Sequence, residues 1–210
     1  MGARFLDEEA RAAFARAIAA VENASAVEVV VAVRRRSGGY RHANVAIGAA
    51  VAFCGLAAML YSSHAFALSS ILVDPFVVAL LAGAAVEVLP QVKRALTPPA
   101  VRRHTVSRAA RATFVERGVH DTTGRSGMLV YISWLEQQIA IVADTKLARA
   151  LPDGTLERAE RELTRAMRAG GADVARHLEA LAPAMARAVP HRDDDVNELP
   201  DAIDSDLERG

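Results

Sequence analysis

Residues 43–61 read ANVAIGAAVAFCGLAAMLY, and this stretch contains no charged side chain. A helix of these residues is roughly 28 Å long at about 1.5 Å per residue, which matches the hydrocarbon thickness of a bilayer. From residue 43 to residue 86 the sequence has no lysine or arginine, and its one formal charge is Asp74. So long a stretch without basic residues is typical of membrane proteins, and we predict that it enters a membrane.

A second apolar segment occupies residues 71–89. We expect Asp74 and Pro75 to begin its helical core, because aspartate is a common N-cap and proline fits the first helical position. Together the segments predict a two-helix transmembrane hairpin within residues 42–91, with spans at about 43–61 and 71–89. The alternative is a pair of buried core helices in a soluble protein, which would need a large surrounding shell.

Small residues recur at helical spacing on both predicted spans. Gly48, Ala52 and Gly55 share one face of the first span, and Ala79 and Gly83 are four residues apart on the second. Small side chains let the backbones of two membrane helices approach closely. We therefore expect these two faces to meet in the hairpin.

Basic residues flank the outer ends of the hairpin. Four precede the first span, four follow the second, and the connection at residues 62–74 has none. Because lysine and arginine favour the cytosolic side of a membrane, we predict that both termini are cytosolic. Attraction of anionic lipid headgroups is a second role open to the same cations. These cations are Arg34, Arg35, Arg36, Arg41, Lys93, Arg94, Arg102 and Arg103.

Composition limits the classes of partner and cofactor. The chain has 25 basic and 25 acidic residues, so its charge gives no reason to expect a nucleic-acid partner. Cys54 is the one cysteine, which excludes an intrachain disulfide and a cysteine-based zinc site. The sequence therefore predicts the lipid bilayer as a partner, with another membrane protein as a further candidate.

Helix and strand patterns alternate on both sides of the hairpin. Asp7 suits the N-cap of a first helix, and the β-branched run at residues 27–33 predicts a buried strand. A helix at about residues 100–117 is expected to end at Gly118. These patterns indicate that soluble structure begins before the hairpin and resumes after it.

Two apolar runs in the second half, at residues 128–133 and 138–143, are separated by four residues and predict an antiparallel β-hairpin. Two helices should follow this β-hairpin. We expect them at residues 155–169, capped by Thr155, and at residues 173–189, capped by Asp173 and kinked at Pro183.

These elements predict an α/β fold, a layered sandwich of a small mixed sheet with flanking helices, interrupted by the transmembrane hairpin. Residues 1–41 and 92–190 would form the two parts of one cytosolic domain. Residues 191–210 contain eight acidic residues and two arginines, and we expect this tail to be disordered.

Five segments point to a known family. They are LDEE at residues 6–9, AVEVVV at 26–31, TGRSGMLVYIS at 123–133, QIAIVAD at 138–144 and NELPD at 197–201. In this order the segments resemble TPM domains, specifically bacterial membrane-bound members. The resemblance implies an α/β sandwich with helices on both faces of a small sheet, in a bacterial-type cytoplasmic (inner) membrane.

The same resemblance suggests chemistry. TPM domains have been described as acid phosphatases, and some bind calcium or other divalent ions through acidic loop residues. Many of them have Asp-Asn-Gly before the first hairpin strand, where this chain has Arg125, Ser126 and Gly127. A cation in place of a carboxylate disfavours a bound metal ion and favours an anionic ligand.

The candidate ligand-binding residues are His120, Asp121, Arg125 and Asp144. Antiparallel pairing is expected to bring the loop before the β-hairpin and Asp144 after it to the same edge of the sheet. Two carboxylates and a histidine suit a divalent cation, which is the one cofactor that the sequence suggests. Ordinary solvated polar residues of a loop are the competing interpretation, and no catalytic residue is identified.

Two functions are therefore consistent with the sequence. The first is a membrane-anchored, non-catalytic factor for interaction, assembly or quality control, which needs only a folded domain and an anchor. The second is a metal-dependent acid phosphatase of the TPM type, which needs a cluster of acidic residues. The sequence favours the first, because no nucleophile with a base and no close pair of carboxylates is evident.

Overall fold

In a computed structural model, which describes residues 5–122, 124–191 and 203–207, the chain divides into two compact units. An α/β unit contains the described residues up to Ser37 and from Arg103 onward, and a helical unit comprises Gly38–Arg102. The helices are α1 Glu8–Ala24, α2 Arg41–Tyr61, α3 Leu68–Ala85, α4 Pro90–Leu96, α5 Pro99–Glu116, α6 Thr145–Ala150, α7 Thr155–Ala166, α8 Gly171–Glu179 and α9 Ala182–Ala188.

The α/β unit is built on a mixed sheet in the order β3-β2-β1-β4. Its strands are β1 Val29–Arg34, β2 Met128–Ser133, β3 Gln138–Ala143 and β4 Asp204–Ser205. Strand β1 runs parallel to β2 and β4, whereas β2 and β3 are antiparallel. The structure confirms the predicted small mixed sheet, and β2 and β3 have the bounds expected from the sequence.

Both faces of the sheet are buried, because successive side chains of each strand point to opposite sides. On one face, Val31 and Val130 pack with Phe14 and other apolar residues of α1 and α6–α9. On the other face, Val30 and Leu129 pack against α5. Full burial of a side chain such as Phe14 contributes about 1.5–3 kcal/mol. Helices thus flank the sheet on both sides, and the α/β layered sandwich is confirmed.

Local signals fix several helix ends as expected. The Ala10 N–H donates to Asp7 Oδ1 at 2.9 Å, so Asp7 caps α1. Helix α5 ends at Glu116, and Gly118 then has a φ of 65°, a conformation that favours glycine.

Three expectations for the later helices are wrong. Thr155 is the first residue of α7, and Gly154 holds the cap position with a φ of 74°. Asp173 lies in the first turn of α8 instead of capping it. Pro183 does more than kink one helix: α8 ends at Glu179, and α9 begins anew with Pro183 in its first turn, where a missing N–H is tolerated.

The expectation of a disordered tail falls mainly on residues 192–202 and 208–210, which lie outside the described residues. It is wrong for residues 203–207. Asp204 and Ser205 form β4, which pairs with Ala32 and Val33 of β1. A strand of two residues has too little local pattern to be seen in the sequence, because the partner strand supplies its stability.

The helical unit contains α2, α3, a 3-10 turn at Val86–Val88, and α4. Helix α2 and the segment Leu68–Val88 are long and apolar enough to cross a membrane. The expected helix start at Asp74 is wrong, because α3 begins at Leu68 and carries Pro75 in its interior. Proline removes one backbone hydrogen bond. The helix nevertheless continues on both sides of Pro75, and the residues before the proline form its first turns.

Helices α2 and α3 pack through small residues. This confirms the expectation for Gly48 and Gly83. A Cβ added to Gly48 would lie 2.7 Å from the Ala79 carbonyl oxygen, and one added to Gly83 would lie 3.1 Å from that of Asn44. Gly55 has nothing within 4 Å of an added Cβ, so its expected place in the contact is wrong. A Cβ at Gly48 would clash with the facing backbone and one at Gly83 would crowd it, so the two glycines permit the close approach of the helices.

The β3 edge of the sheet is covered by α7. The Ile141 N–H donates to Glu160 Oε1 at 2.8 Å, and the Ile139 N–H donates to Thr164 Oγ1 at 3.1 Å. These two side chains satisfy donors that a partner strand would otherwise take. Burial raises the pKa of the Glu160 carboxyl above its ordinary value, more than its backbone hydrogen bond lowers it.

We predict that the stability of the Glu160→Gln variant, compared with that of wild type, increases as pH rises. A pKa raised by folding gives stability that is fully present below the unfolded value and is lost as pH rises through the folded value. Glutamine keeps the acceptor for the Ile141 N–H and does not ionise. Urea unfolding between pH 4 and pH 7, followed by the fluorescence of the single tryptophan, Trp134, measures the effect. A pH-independent difference from wild type would contradict this assignment.

Candidate functional site

The candidate residues lie around the end of the sheet where β2 begins and β3 ends. Met128 pairs with Ala143, and the Asp144 N–H donates to the Gly127 carbonyl at 2.9 Å. The loop between α5 and β2 thus reaches the same edge as Asp144, as antiparallel pairing predicted. The four candidate residues nevertheless differ in their surroundings and partners.

His120 and Asp121 form a local pair. His120 Nε2 lies 3.2 Å from Asp121 Oδ1, and the Asp121 side chain is 74% exposed. The Asp121 N–H donates to the Gly118 carbonyl at 2.8 Å, which is a turn contact. The centroids of the His120 and Phe114 rings lie 6.2 Å apart with the rings tilted by 41°, so the imidazole lies near the end of α5. Asp121 lies at the surface and His120 is partly exposed, so solvent screens the interaction of the pair.

Asp144 has a structural role. It is buried, and its Oδ1 accepts hydrogen bonds from the N–H and the hydroxyl of Thr145. It is therefore the N-cap of α6, a short helix that was not predicted from the sequence. Asp144 Oδ2 has no hydrogen-bond partner among the described residues. The hydrogen bonds from Thr145 to Oδ1 nevertheless hold the carboxyl group in its capping position.

Arg125 occupies a tight turn. Its φ is 48°, and its N–H donates to the Thr122 carbonyl at 2.9 Å. Two residues later the chain passes so close to Val119 that a Cβ on Gly127 would lie 2.1 Å from the Val119 carbonyl oxygen. That position therefore requires glycine. The turn leaves the Arg125 side chain at the surface.

A divalent-cation site built from these loop residues is not assembled. Across residues 5–122, 124–191 and 203–207, no three side chains of His, Cys, Asp or Glu come together closely enough to hold a metal ion. The set that we considered, His120, Asp121 and Asp144, is thus divided between a surface pair and a helix cap. Chemically, this edge offers an exposed cation at Arg125 and the pair of His120 and Asp121.

A buried polar network lies at the other end of the β-hairpin. The Glu136 side chain is fully buried in the β2–β3 turn, where it accepts from the Ser133 hydroxyl and, at 3.0 Å, from the Ser37 N–H. Ser37 Oγ lies 2.7 Å from Ser133 Oγ and 3.1 Å from the Tyr131 hydroxyl. These bonds tie the segment after β1 to the tip of the β-hairpin.

Burial raises the pKa of the Tyr131 phenol, and the hydrogen bond with Ser37 offsets this in part. The neutral hydroxyl is thus the form that the network holds. In the sequence, Glu136 is one of the four residues between two predicted strands, where glutamate is usually solvated. Ser133 is the residue that could have indicated the network, because it places a hydroxyl group at the end of a largely apolar strand.

A second charged cluster lies at the β1 edge of the sheet. The Asp204 carboxylate forms ion pairs with the guanidinium groups of Arg34 and Arg117. Arg34 Nη1 also donates to the Asp204 carbonyl at 2.8 Å. In the sequence, Arg34 is one of the basic residues that flank the hairpin and Asp204 belongs to the acidic tail, so neither was a candidate. Their separation of 170 positions in the chain hides the pair from any local pattern.

Comparison with known proteins supports the fold. No protein-family model matches the chain, and no curated protein matches it. Among solved structures, the chain is similar to the NMR structure of the BA42 protein from the psychrophilic bacterium Bizionia argentinensis sp. nov., with 15% identity and a TM-score of 0.57. The similarity covers 96% of this chain and 95% of the other. A likeness at this identity shows the fold alone.

Proposed function

We propose that this chain is a membrane-anchored TPM-like protein that binds a partner and does not catalyse a reaction. Helices α2 and α3 would span a bacterial-type cytoplasmic membrane, with the α/β unit and both termini on the cytosolic side. The observation that carries the proposal is the exposure of large apolar side chains along both helices.

That exposure favours lipid as the surrounding medium. Phe53 is 74% exposed, Leu68 83% and Leu80 75%, and no residue of α3 is buried. Apolar area left in water is unfavourable by roughly 25 cal/mol per Å². A core helix of a soluble protein would bury such side chains, whereas a bilayer solvates them. The hairpin therefore fits a membrane better than a soluble core.

The orientation rests on the distribution of basic residues. Arg41 is the first residue of α2, and α4 carries Lys93 and Arg94 after the second apolar segment. The connection at residues 62–67 has neither lysine nor arginine. Basic residues near the ends of spans favour the cytosolic side. This distribution supports a cytosolic α/β unit.

A binding role is favoured because the two acidic loop residues are engaged separately and not directed at one point. Asp144 caps α6, and Asp121 pairs with His120. Arg125 stands where the TPM resemblance would have an acid, which makes a cation site electrostatically unfavourable. A metal-dependent phosphatase needs several carboxylates directed at one ion. An interaction module needs only the folded surface and its anchor.

We predict no metal-dependent phosphatase turnover. The purified full chain in detergent would be assayed against generic phosphomonoesters, alone and with calcium, magnesium, manganese or zinc. The rate of the wild-type chain should not exceed that of the Asp121→Asn variant. Asp153→Ala removes an exposed acid away from the candidate loop and is the control. Turnover that persists in Asp153→Ala and disappears in Asp121→Asn would refute the binding role and favour the phosphatase.

A further inference from the structure

Helix α3 carries a carboxyl group inside its apolar segment. The helix begins at Leu68, so Asp74 lies six residues, or roughly 9 Å, inside its N-terminal end. The Asp74 side chain is exposed on the surface of α3. In a membrane this surface faces lipid, and an aspartate side chain is too short to reach water from such a depth. Ionisable residues at such positions are costly, and they usually have a partner and a function.

The packing of α2 against α3 indicates the depth of Asp74. As the glycine contacts show, the two helices run antiparallel, and Gly48 lies beside Ala79. Asp74 precedes Ala79 by five residues and is therefore level with Phe53, which follows Gly48 by five. Phe53 is near the middle of the uncharged stretch at residues 43–61. In a bilayer spanned by this hairpin, the Asp74 carboxyl group thus lies close to the midplane.

The other carboxyl group of this apolar segment has partners within the hairpin. Glu87 Oε2 lies 2.6 Å from Lys93 Nζ and accepts a hydrogen bond from Asn44 Nδ2 at 2.9 Å. Among the residues that the structure describes, none forms a hydrogen bond or an ion pair with the Asp74 side chain. The chain therefore supplies a counter-charge to the carboxylate at the α4 end of the hairpin and none to the deeper one.

Pro75 adds a second acceptor in the same turn of α3. Proline has no N–H, so the Ile71 carbonyl lacks the donor that an α-helix otherwise supplies four residues later. Residues 71 and 74 lie on the same side of the helix, because they are three positions apart. In lipid, neighbouring helices satisfy such freed carbonyls. A lysine or arginine side chain suits both acceptors, since it carries a positive charge and several N–H donors.

We propose that the Asp74 side of α3 binds a transmembrane helix of another protein that carries a lysine or arginine near the membrane midplane. This inference rests on the proposed membrane anchoring and names the class of partner. An ion pair in lipid is strong, because little water is present to screen it. A second copy of the chain fits less well. Its residues 43–86 contain no lysine or arginine, and it would bring another carboxyl group to the same depth.

The test measures association of the full chain with a synthetic transmembrane helix in phosphatidylcholine vesicles. The chain would carry a donor dye at Ser63→Cys in a Cys54→Ala background. The probe would be an acceptor-labelled peptide of about twenty leucines and alanines with one central arginine, and the reference peptide would have a central leucine instead. We expect energy transfer to show that the chain binds the arginine peptide at least about fivefold more tightly than the leucine peptide.

Two substitutions in this labelled chain separate the carboxyl group from the rest of the helix surface. Asp74→Leu should abolish the preference for the arginine peptide, because it removes the counter-charge and adds no polar group to the membrane. Phe76→Leu is the matched control. Phe76 is 73% exposed and lies about 200° around α3 from Asp74. Its substitution should change the preference by less than about twofold.

Equal affinity for the two peptides would overturn the proposal, and so would an arginine preference that persists in Asp74→Leu. Energy transfer between two labelled copies of the chain that is lost in Asp74→Leu would identify the occupant as a second copy, against the proposal. Flotation of the chain with the vesicles is measured first. A chain that does not float contradicts the membrane anchoring itself, whereas a floating chain without an arginine preference contradicts this inference alone.

Discussion

Glu136→Ala is expected to lower the free energy of unfolding of the α/β unit by roughly 2–5 kcal/mol, because it leaves one buried and one partly buried donor without their acceptor. These donors are the Ser37 N–H and the Ser133 hydroxyl, both of which bond to the Glu136 carboxyl group. Alanine would also leave a cavity in a turn that is fully closed to solvent at this side chain.

Glu136→Gln should lose less than half as much stability. The amide oxygen of the introduced glutamine would still accept from the Ser37 N–H, while its NH₂ group would donate to Ser133 Oγ. The hydroxyls of Ser133 and Ser37 would then reverse their donor directions toward Tyr131, which distances of 2.7 and 3.1 Å allow. A reversed chain keeps most of its bonds and changes only their direction.

The measurement is urea unfolding of the full chain in detergent, followed by Trp134 fluorescence. Glu162→Ala, an exposed glutamate on α7, is the matched control and should change the stability by no more than about 0.5 kcal/mol. Losses of similar size for Glu136→Ala and Glu162→Ala would show that the buried network contributes little. A Glu136→Gln loss as large as that of alanine would contradict the reversal of the hydroxyl chain.

The sheet was largely predictable because its information is local. Strands β2 and β3 carry continuous apolar and β-branched runs, and their separation by four residues sets an antiparallel turn. The caps at Asp7 and Gly118 are also local, since each acts on the backbone within a few residues. Such signals survive in a single sequence.

Competing local signals explain the errors. Asp74 and Pro75 form a good helix start, yet α3 extends six residues before Asp74, because the apolar segment at 68–73 continues the helix. Asp144 was interpreted as a ligand, although aspartate before Thr145 is equally suited to capping a helix. In both cases one residue type serves two structures, and its context decides between them.

The charged edge and the buried network could not be predicted for a different reason. Arg34 meets Asp204 across 170 positions, and Ser37 meets Glu136 across 99. No spacing rule links residues so far apart, because the fold alone brings them together. The tail also reads as acidic and poor in apolar residues, a composition that favours disorder unless a partner strand is present.

The topology of the hairpin should give an all-or-none difference between positions on the two sides of the membrane. We predict that the α2–α3 connection lies on the extracytoplasmic side of the cytoplasmic membrane and that the α/β unit lies in the cytosol. Exposed apolar side chains along α2 and α3 and basic residues at the outer ends of the hairpin support this arrangement. Cys54, the one native cysteine, can be replaced by alanine to provide a background without thiols.

Single cysteines would then replace Ser63, in the connection, and Ala112, an exposed residue of α5. A membrane-impermeant maleimide would be applied to intact cells. We predict labelling of Ser63→Cys but not of Ala112→Cys, with labelling of both once the cells are permeabilised. Labelling of Ala112→Cys but not Ser63→Cys in intact cells would reverse the orientation. Protection of both positions in intact cells would place the connection inside and contradict a hairpin that crosses the membrane.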